Sequence, residues 1–345
     1  MKKQVLIYGA SGYTGKLLAA ALLKNGITPI LAGRSNTIRE IGQKLKCPVK
    51  IFDLSKQNDI VSNLEEVMLL VNLAGSFSHS QKPLIEACLL AKTHYIDIAG
   101  EVPEMETAFS YDLQAQKAGI LILAGAGFGV VPTDIAANLA KNQLPDANSL
   151  VIAYATEGGA SRGTLKTVLK DINKQGVIRK NGKLIAAMPA SEQDYNFSFG
   201  KKQFKAVYNP WRADLFTAFI STNVSNISTY SVFPSFVVSM MRGKLLWLRN
   251  LLLNHLINFL PEGPSEKELL NGRTYIEVIA TNLSGKTAKV QIEGLEAYDF
   301  TTQILVQICK SILNRQVVAG AKTPFQFEPK LLEKIEGVKI SITQN

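Results

Sequence analysis

Through its first 131 residues the chain alternates short apolar runs with segments of helical spacing. The runs are Val5 to Ile7, Ile27 to Ala32, Pro48 to Leu54, Val67 to Leu73, Tyr95 to Ile98 and Ile120 to Ala124. The fourth is nearly continuous, as expected for a strand covered on both faces. Between the runs, Lys16 to Leu23, Thr37 to Leu45, Asp59 to Glu66, Lys82 to Leu90 and a segment from Glu101 through about Lys117 read as helices. Pro83 falls in the first turn of the fourth, where a missing N–H is harmless. Regular strand and helix alternation predicts a right-handed doubly wound parallel sheet, an α/β domain of the Rossmann kind over residues 1–131.

The pattern changes from about Pro132. Pro132-Thr133-Asp134 opens an apolar helix, Leu150 to Thr156 is strand-like, and Gly158 to Thr164 is a glycine-rich loop before another helix. Arg273 to Thr281 and Lys286 to Glu293 read as a hairpin across Asn282-Leu283-Ser284-Gly285. Ala297 to Leu313 is a late helix, and Val338 to Thr343 a last strand. Residues 132–317 are therefore expected to form a second α+β domain.

The most hydrophobic stretch is 233–260. Arg242, Lys244, Arg249, Asn250, Asn254 and Asn258 interrupt it, so no apolar run reaches bilayer-spanning length. One wide face holds Leu245, Leu246, Leu248, Leu252, Leu253, Leu256 and Phe259. Two readings stand: a core or homodimer-interface helix, or a surface helix meeting lipid or a lipid-like substrate, for which Trp247 among basic residues is suited.

Bulk composition narrows the class. A chain of 345 residues exceeds the usual size of one core, and 46% hydrophobic with 19% charged residues describes a folded globular protein. The formal charge of +10 is spread among acids, and its densest groupings do not alternate with aromatics as in a nucleic-acid groove. It favours anionic ligands or a membrane surface. Cys47, Cys88 and Cys309, and His79, His94 and His255, are scattered without ligand spacing. They predict reduced core thiols, a cytoplasmic setting and no metal. The first strand starts almost at once, leaving no room for a signal peptide.

The sharpest chemistry lies after the first run. Gly9-x-x-Gly12-x-x-Gly15 joins a strand to a helix, with Ser11, Tyr13 and Thr14 between the glycines. Such a turn brings backbone and a helix N-terminus to a dinucleotide pyrophosphate. The second strand ends in Gly33-Arg34-Ser35. An acidic residue there would hold a ribose 2′-hydroxyl; Arg34 and Ser35 instead offer donors to a 2′-phosphate, which predicts NADP. Asp53, at the end of the third run, either meets the adenine or starts a turn. Ala74 and Gly75 form a small-residue loop at the end of the central strand, where such folds bind ligands.

A hydride acceptor needs a proton donor nearby, and Tyr95, Asp97 and Glu101 lie around the end of the fifth strand. Alternation puts Tyr95 and Asp97 on one face. Asp97 and Glu101 equally suit a helix start. Thr133 with Asp134 caps the next helix or lines the cleft. Arg162 and Arg212 are candidate anchors for a substrate carboxylate or phosphate, or salt-bridge partners.

Several motifs together resemble the saccharopine dehydrogenase-like oxidoreductases, including the trans-acting enoyl reductase group. They are Tyr8 to Gly15, Ala32-Gly33-Arg34, Val71 to Phe77, Glu86-Ala87-Cys88, His94 to Glu101, Gly127 to Asp134, Gly263-Pro264-Ser265 and Thr323-Pro324. The resemblance implies an NADP-binding N-terminal domain, a mixed substrate or dimerisation domain over 132–317, and a last segment, about 318–345, packing back on the first. It implies an NADPH-dependent oxidoreductase reducing a C=C, C=N or C=O bond. A non-catalytic NADP-binding protein associated with lipid is the alternative reading, and saccharopine-type amino-acid dehydrogenation a weaker one. Gly129 and Val130 stand where relatives commonly carry Asp and Ser, so no mechanism here rests on that Asp.

Overall fold

The apolar runs of the first region become strands of a parallel sheet. A computed structural model describes residues 4–251, 257–314 and 317–344. In chain order come β1 (Gln4–Tyr8), α1 (Tyr13–Lys24), β2 (Ile30–Gly33), α2 (Thr37–Leu45), β3 (Val49–Ile51), α3 (Gln57–Asn63), β4 (Val67–Asn72), α4 (Phe77–Ala91), β5 (His94–Asp97), α5 (Val102–Ser110), α6 (Asp112–Ala118) and β6 (Leu121–Leu123). The sheet order is β6-β5-β4-β1-β2-β3, and Gly320–Ala321 adds a seventh strand beyond β6. Strand order reverses at β1, whose neighbours are β2 and β4, so the loops part above its carboxyl end and leave a crevice. Register sets Tyr8 beside Asn72, and Asn72 beside Asp97, at that same end.

Two helices differ from expectation. The helix expected to run to Lys117 breaks at Tyr111, which ends α5 and begins α6 with φ −94° and ψ 7°. The helix expected from Lys82 starts earlier, at Phe77, because Ser76 provides extended backbone after Gly75; Pro83 therefore lies inside α4.

The second region continues with α7 (Val131–Gln143), β7 (Ser149–Glu157), α8 (Arg162–Asp171), β8 (Gly176–Lys180), β9 (Lys183–Ala187), β10 (Tyr195–Phe199), β11 (Lys202–Tyr208), α9 (Asp214–Thr222), β12 (Asn226–Ser231), α10 (Ser235–Met241), α11 (Leu246–Leu251), α12 (Glu266–Asn271), β13 (Arg273–Thr281) and β14 (Thr287–Gly294). The chain closes with α13 (Ala297–Asn314), β15 (Gly320–Ala321), α14 (Pro324–Phe327) and β16 (Lys339–Gln344). The second sheet is mixed, with the path β10-β11-β12-β7-β13-β14-β16. Its β13–β14 hairpin turns on Asn282, whose Oδ1 accepts from the backbone N–H groups of Ser284 and Lys286.

Two units result: Met1–Val131 with Tyr298–Glu336, and Pro132–Ala297 with Gly337–Asn345. The returning segment differs from the expected 318–345. Helix α13, expected in the second domain, buries Phe300, Ile304, Leu305, Ile308 and Cys309 in the first unit. The last strand, expected on the first domain, instead pairs with the free edge of β14, Ile340 beside Ile292 and Ile342 beside Val290.

The stretch 233–260 is not one helix. Gly243 at φ +78° and Leu245 at φ +56° separate α10 from α11. Val237, Met240 and Met241 join a buried cluster with Ile172, Val207 and Ile257, whereas Phe236, Trp247 and Phe259 are exposed. Leu252, Leu253 and Leu256 of the expected apolar face lie outside the described residues. Among the described residues, no helix is long and apolar enough to cross a membrane.

Candidate functional site

The turn between β1 and α1 is shaped by what its glycines leave out. Gly9 has φ +88°, and a Cβ there would lie 2.7 Å from Ala74 N and 2.7 Å from the Leu73 carbonyl carbon. A Cβ on Gly15 would lie 2.5 Å from Gly9 O. The first glycine thus lets β1 turn under the loop after β4, and the third lets α1 start against that turn. Gly12 begins α1 without a side-chain cap, and the first turn holds no acidic residue. A helix start of this kind accepts an anion, and Ser11, Tyr13 and Thr14 are half-buried around it. The residues fit a dinucleotide pyrophosphate.

Arg34 and Ser35 leave the end of β2 exposed to solvent. Ser35 Oγ accepts from Thr37 Oγ1 at 2.9 Å and from Thr37 N at 3.3 Å, tying it to the first turn of α2. Asp53 Oδ1 accepts from Ser55 N at 2.7 Å, so the carboxylate organises the turn after β3. The Ser55 bonds hold the Asp53 carboxyl below its usual range, and the Arg34 charge adds to this. Burial and the Asp53 charge push the Tyr8 hydroxyl up, while Arg34 opposes them. Arg34, Asp53 and Tyr8 therefore share one electrostatic neighbourhood at the carboxyl ends of β1 to β3. Replacing Arg34 by Ala is expected to weaken NADPH binding about ten- to hundredfold more than NADH binding, the worth of one hydrogen bond to a charged group. Parallel titrations with both dinucleotides check this, and equal losses would remove Arg34 from the phosphate site.

On the other side of β1 a buried polar network joins three strand ends. Asn72 Nδ2 donates to Tyr95 Oη at 2.9 Å and to Ser80 Oγ at 3.0 Å, and Ser80 Oγ donates to Ala74 O at 2.7 Å. Asn72 Oδ1 accepts from Ala74 N at 3.1 Å. Tyr95 Oη donates to Asp97 Oδ2 at 2.8 Å, which also accepts from Gln81 Nε2 at 2.9 Å. Asp97 Oδ1 takes the backbone N–H groups of Ala99 at 3.0 Å and Gly125 at 3.1 Å. The shared face of Tyr95 and Asp97 is thus real, but both side chains are wholly buried. Every polar atom of the pair is engaged by bonds within the protein, which binds the two side chains to their neighbouring loops. Burial raises both groups, the Tyr95 hydroxyl further because of the Asp97 charge. Their work is positional: one carboxylate holds the loops after β5 and β6, while Asn72 and Ser80 hold Ala74 and the loop before Gly75.

Glu101 is half-buried at the start of α5, with Oε2 accepting from Gly100 N at 2.9 Å. Further participants at this end lie outside the candidates the sequence offers. Asn72 is the one polar residue in an apolar run, a signal that was available. Glu104, in the first turn of α5, has its Oε2 buried without a hydrogen-bond partner. The start of α13 also meets this end of the sheet: Tyr298 sets its ring edge-on to Tyr13 at 5.1 Å, and Thr301 Oγ1 accepts from Phe128 N at 3.2 Å. Nothing local in the sequence announces that approach. Val130 is buried, in the neighbourhood where a Cβ on Gly125 would touch it at 3.0 Å, so it packs the loop after β6.

The remaining candidates are structural in the second unit. Arg212 pairs with buried Asp214 at 2.6 Å and lies over the Tyr154 ring at 4.4 Å, so its charge is already neutralised. Asp134 Oδ1 accepts from Ser221 Oγ at 2.6 Å, tying α7 to α9. Arg162 lies 4.0 Å from Glu262, both partly exposed.

The saccharopine dehydrogenase NADP-binding domain family matches residues 5–123. A trans-acting enoyl reductase from Mycobacterium bovis is 29% identical over 140 residues, 38% of this chain and 34% of that protein. A Mycobacterium tuberculosis protein named after the same activity is 30% identical over 183 residues, 48% of this chain and 43% of that protein. A mouse saccharopine dehydrogenase-like oxidoreductase is 25% identical over 203 residues, 51% and 47% of the two chains. The chain thus spans about half the length of the curated relatives it matches. In fold it is similar to saccharopine dehydrogenase (L-Glu forming) from Saccharomyces cerevisiae, with a TM-score of 0.66 at 12% identity, over 99% of this chain and 100% of that one. Glycine turn, strand order and family match converge: residues 5–123 match the saccharopine dehydrogenase NADP-binding domain family, in a chain whose fold is similar to that of saccharopine dehydrogenase.

Proposed function

We propose that the protein is an NADPH-dependent reductase acting on a C=C, C=N or C=O bond of a small or lipid-like substrate, with enoyl reduction favoured. The observation that carries this reading is the half-buried Glu101 carboxylate at the end of β5, beside loops that a buried network holds in place. The names of the mycobacterial relatives support the choice of a C=C bond.

NADPH, when bound, supplies a hydride for an electrophilic carbon. The chain's part is to hold and orient. The start of α1 takes the pyrophosphate, Arg34 and Ser35 take the 2′-phosphate, and Asp97 fixes the loops after β5 and β6 around the reacting end. Glu101, half-buried at the start of α5, is a carboxyl able to pass a proton at this end of the sheet.

NADPH consumption against enoyl thioesters, imines and ketones tests the proposal, with turnover expected first for the thioesters. No turnover on any of the three, together with sedimentation on anionic vesicles, would establish the second reading, a non-catalytic NADP-binding protein at a lipid surface. That reading is favoured by the exposed Phe236, Trp247 and Phe259 and the exposed Lys244.

A further inference from the structure

Glu104 occupies the third position of α5, just past the end of β5. One oxygen of its carboxyl accepts from Glu104's own backbone N–H. The other, Oε2, is sealed from solvent and has no hydrogen-bond partner. A bare carboxylate oxygen left so is costly, whereas a neutral carboxyl tolerates the position far better. Burial first, then the charges of Glu101 and Asp97, push this carboxyl up to about 7.

The charged groups on elements packed against α5 are few. Helix α4 carries His79, Lys82 and Glu86, the last already accepting from Tyr111 Oη at 2.9 Å; α6 carries Asp112 and Lys117; β6 carries none. The nearest influences on Glu104 are thus two other acids, and the group is poised to respond to any positive charge brought to this end of the sheet. In a dinucleotide lying across the reversal of strand order, the half beyond β4 meets the ends of β4, β5 and β6. The nicotinamide ring is positive in NADP+ and neutral in NADPH.

We propose that Glu104 is the proton-holding group of this site, protonated beside a neutral ring and ionised beside a positive one, so that exchange between the two cofactor forms is coupled to a proton. The balance is simple. In a reduction, the substrate carbon gains a hydride and its partner atom a proton passed on by Glu101; Glu104 gives up one proton to replace it, and its carboxylate offsets the charge that the oxidised ring acquires. Solvent returns the proton when NADP+ leaves. The proposal rests on the cofactor assignment and not on the identity of the substrate.

Calorimetric titrations of the full chain with NADP+ and with NADPH, in two buffers of different ionisation heat between pH 6 and 8, count the protons exchanged on binding. The 2′-phosphate is common to both forms and cancels in their difference. The wild type is expected to show a difference approaching about one proton near neutral pH, so that the ratio of the two dissociation constants changes by up to about tenfold per pH unit. Glu104→Gln is expected to abolish the difference while keeping NADPH affinity, and Glu101→Gln to move it to lower pH. Binding with equal proton counts in the wild type, or a difference surviving in Glu104→Gln, overturns the proposal alone. Failure of either dinucleotide to bind the wild type overturns the cofactor assignment as well.

Discussion

Gly9→Ala abolishes measurable NADPH binding and destabilises the N-terminal unit. An alanine at φ +88° first meets the steric penalty of left-handed backbone, about 1 to 2 kcal/mol. Its Cβ then falls 2.7 Å from Ala74 N and 2.9 Å from Ala74 Cα. These are backbone atoms, so no rotamer change relieves the contact, and the loops after β1 and β4 must separate. The same loops frame the pyrophosphate site, so a total loss of about 3 kcal/mol or more, over a hundredfold in affinity, is expected. Fluorescence titration with NADPH and urea unfolding measure the two effects. Gly100→Ala is the control for stability, since a Cβ there meets nothing within 4 Å. Near-normal binding by Gly9→Ala would mean that the loop after β4 yields, and the close-approach argument would fail.

Asp97→Ala carries the second large effect, a loss of about 3 to 5 kcal/mol from the same unit. The substitution strips the acceptor from Gln81 Nε2, Tyr95 Oη, Ala99 N and Gly125 N together. Each donor is then left in a water-poor interior at about 1 to 3 kcal/mol, less whatever water the new cavity admits. Asp97→Asn is expected to lose less, because one oxygen remains, although its NH2 group faces donors. Tyr95→Phe removes one hydroxyl and is expected to lose only about 1 kcal/mol. Urea midpoints in the order Ala below Asn below Phe support a positional network. A Tyr95→Phe protein with full stability but no turnover would restore the hydroxyl as proton donor.

Much of the first unit was legible because its signals are local. Short apolar runs, helix spacing and the glycine turn each act within a few residues, and β1 to β6 fall on the six apolar runs. The chemistry of Tyr95 and Asp97 was legible only in part. Alternation placed them on one face, but whether that face meets ligand or core depends on Asn72, Ser80 and Gln81, which reach them from other elements. Glu104 was invisible for a similar reason: a Glu in a first helical turn is ordinarily solvated, and only the fold buries its Oε2. The break at Gly243 to Leu245 was missed because a periodic apolar pattern continues across it.

Helix α13 and β15 complete a unit that begins some three hundred residues earlier in the chain. Gly320 and Ala321 pair with Leu121 and Ile122, Ala321 N donates to Asp112 Oδ1 at 2.8 Å, and Thr301 accepts from Phe128 N. During synthesis from the N-terminus, the six-stranded sheet therefore waits on the ribosome with one edge and one loop uncovered while Pro132–Ala297 of the second unit is made. Long separation between these partners makes their closure a late and slow event. A competent nucleotide pocket thereby becomes a report that translation has run past Glu336.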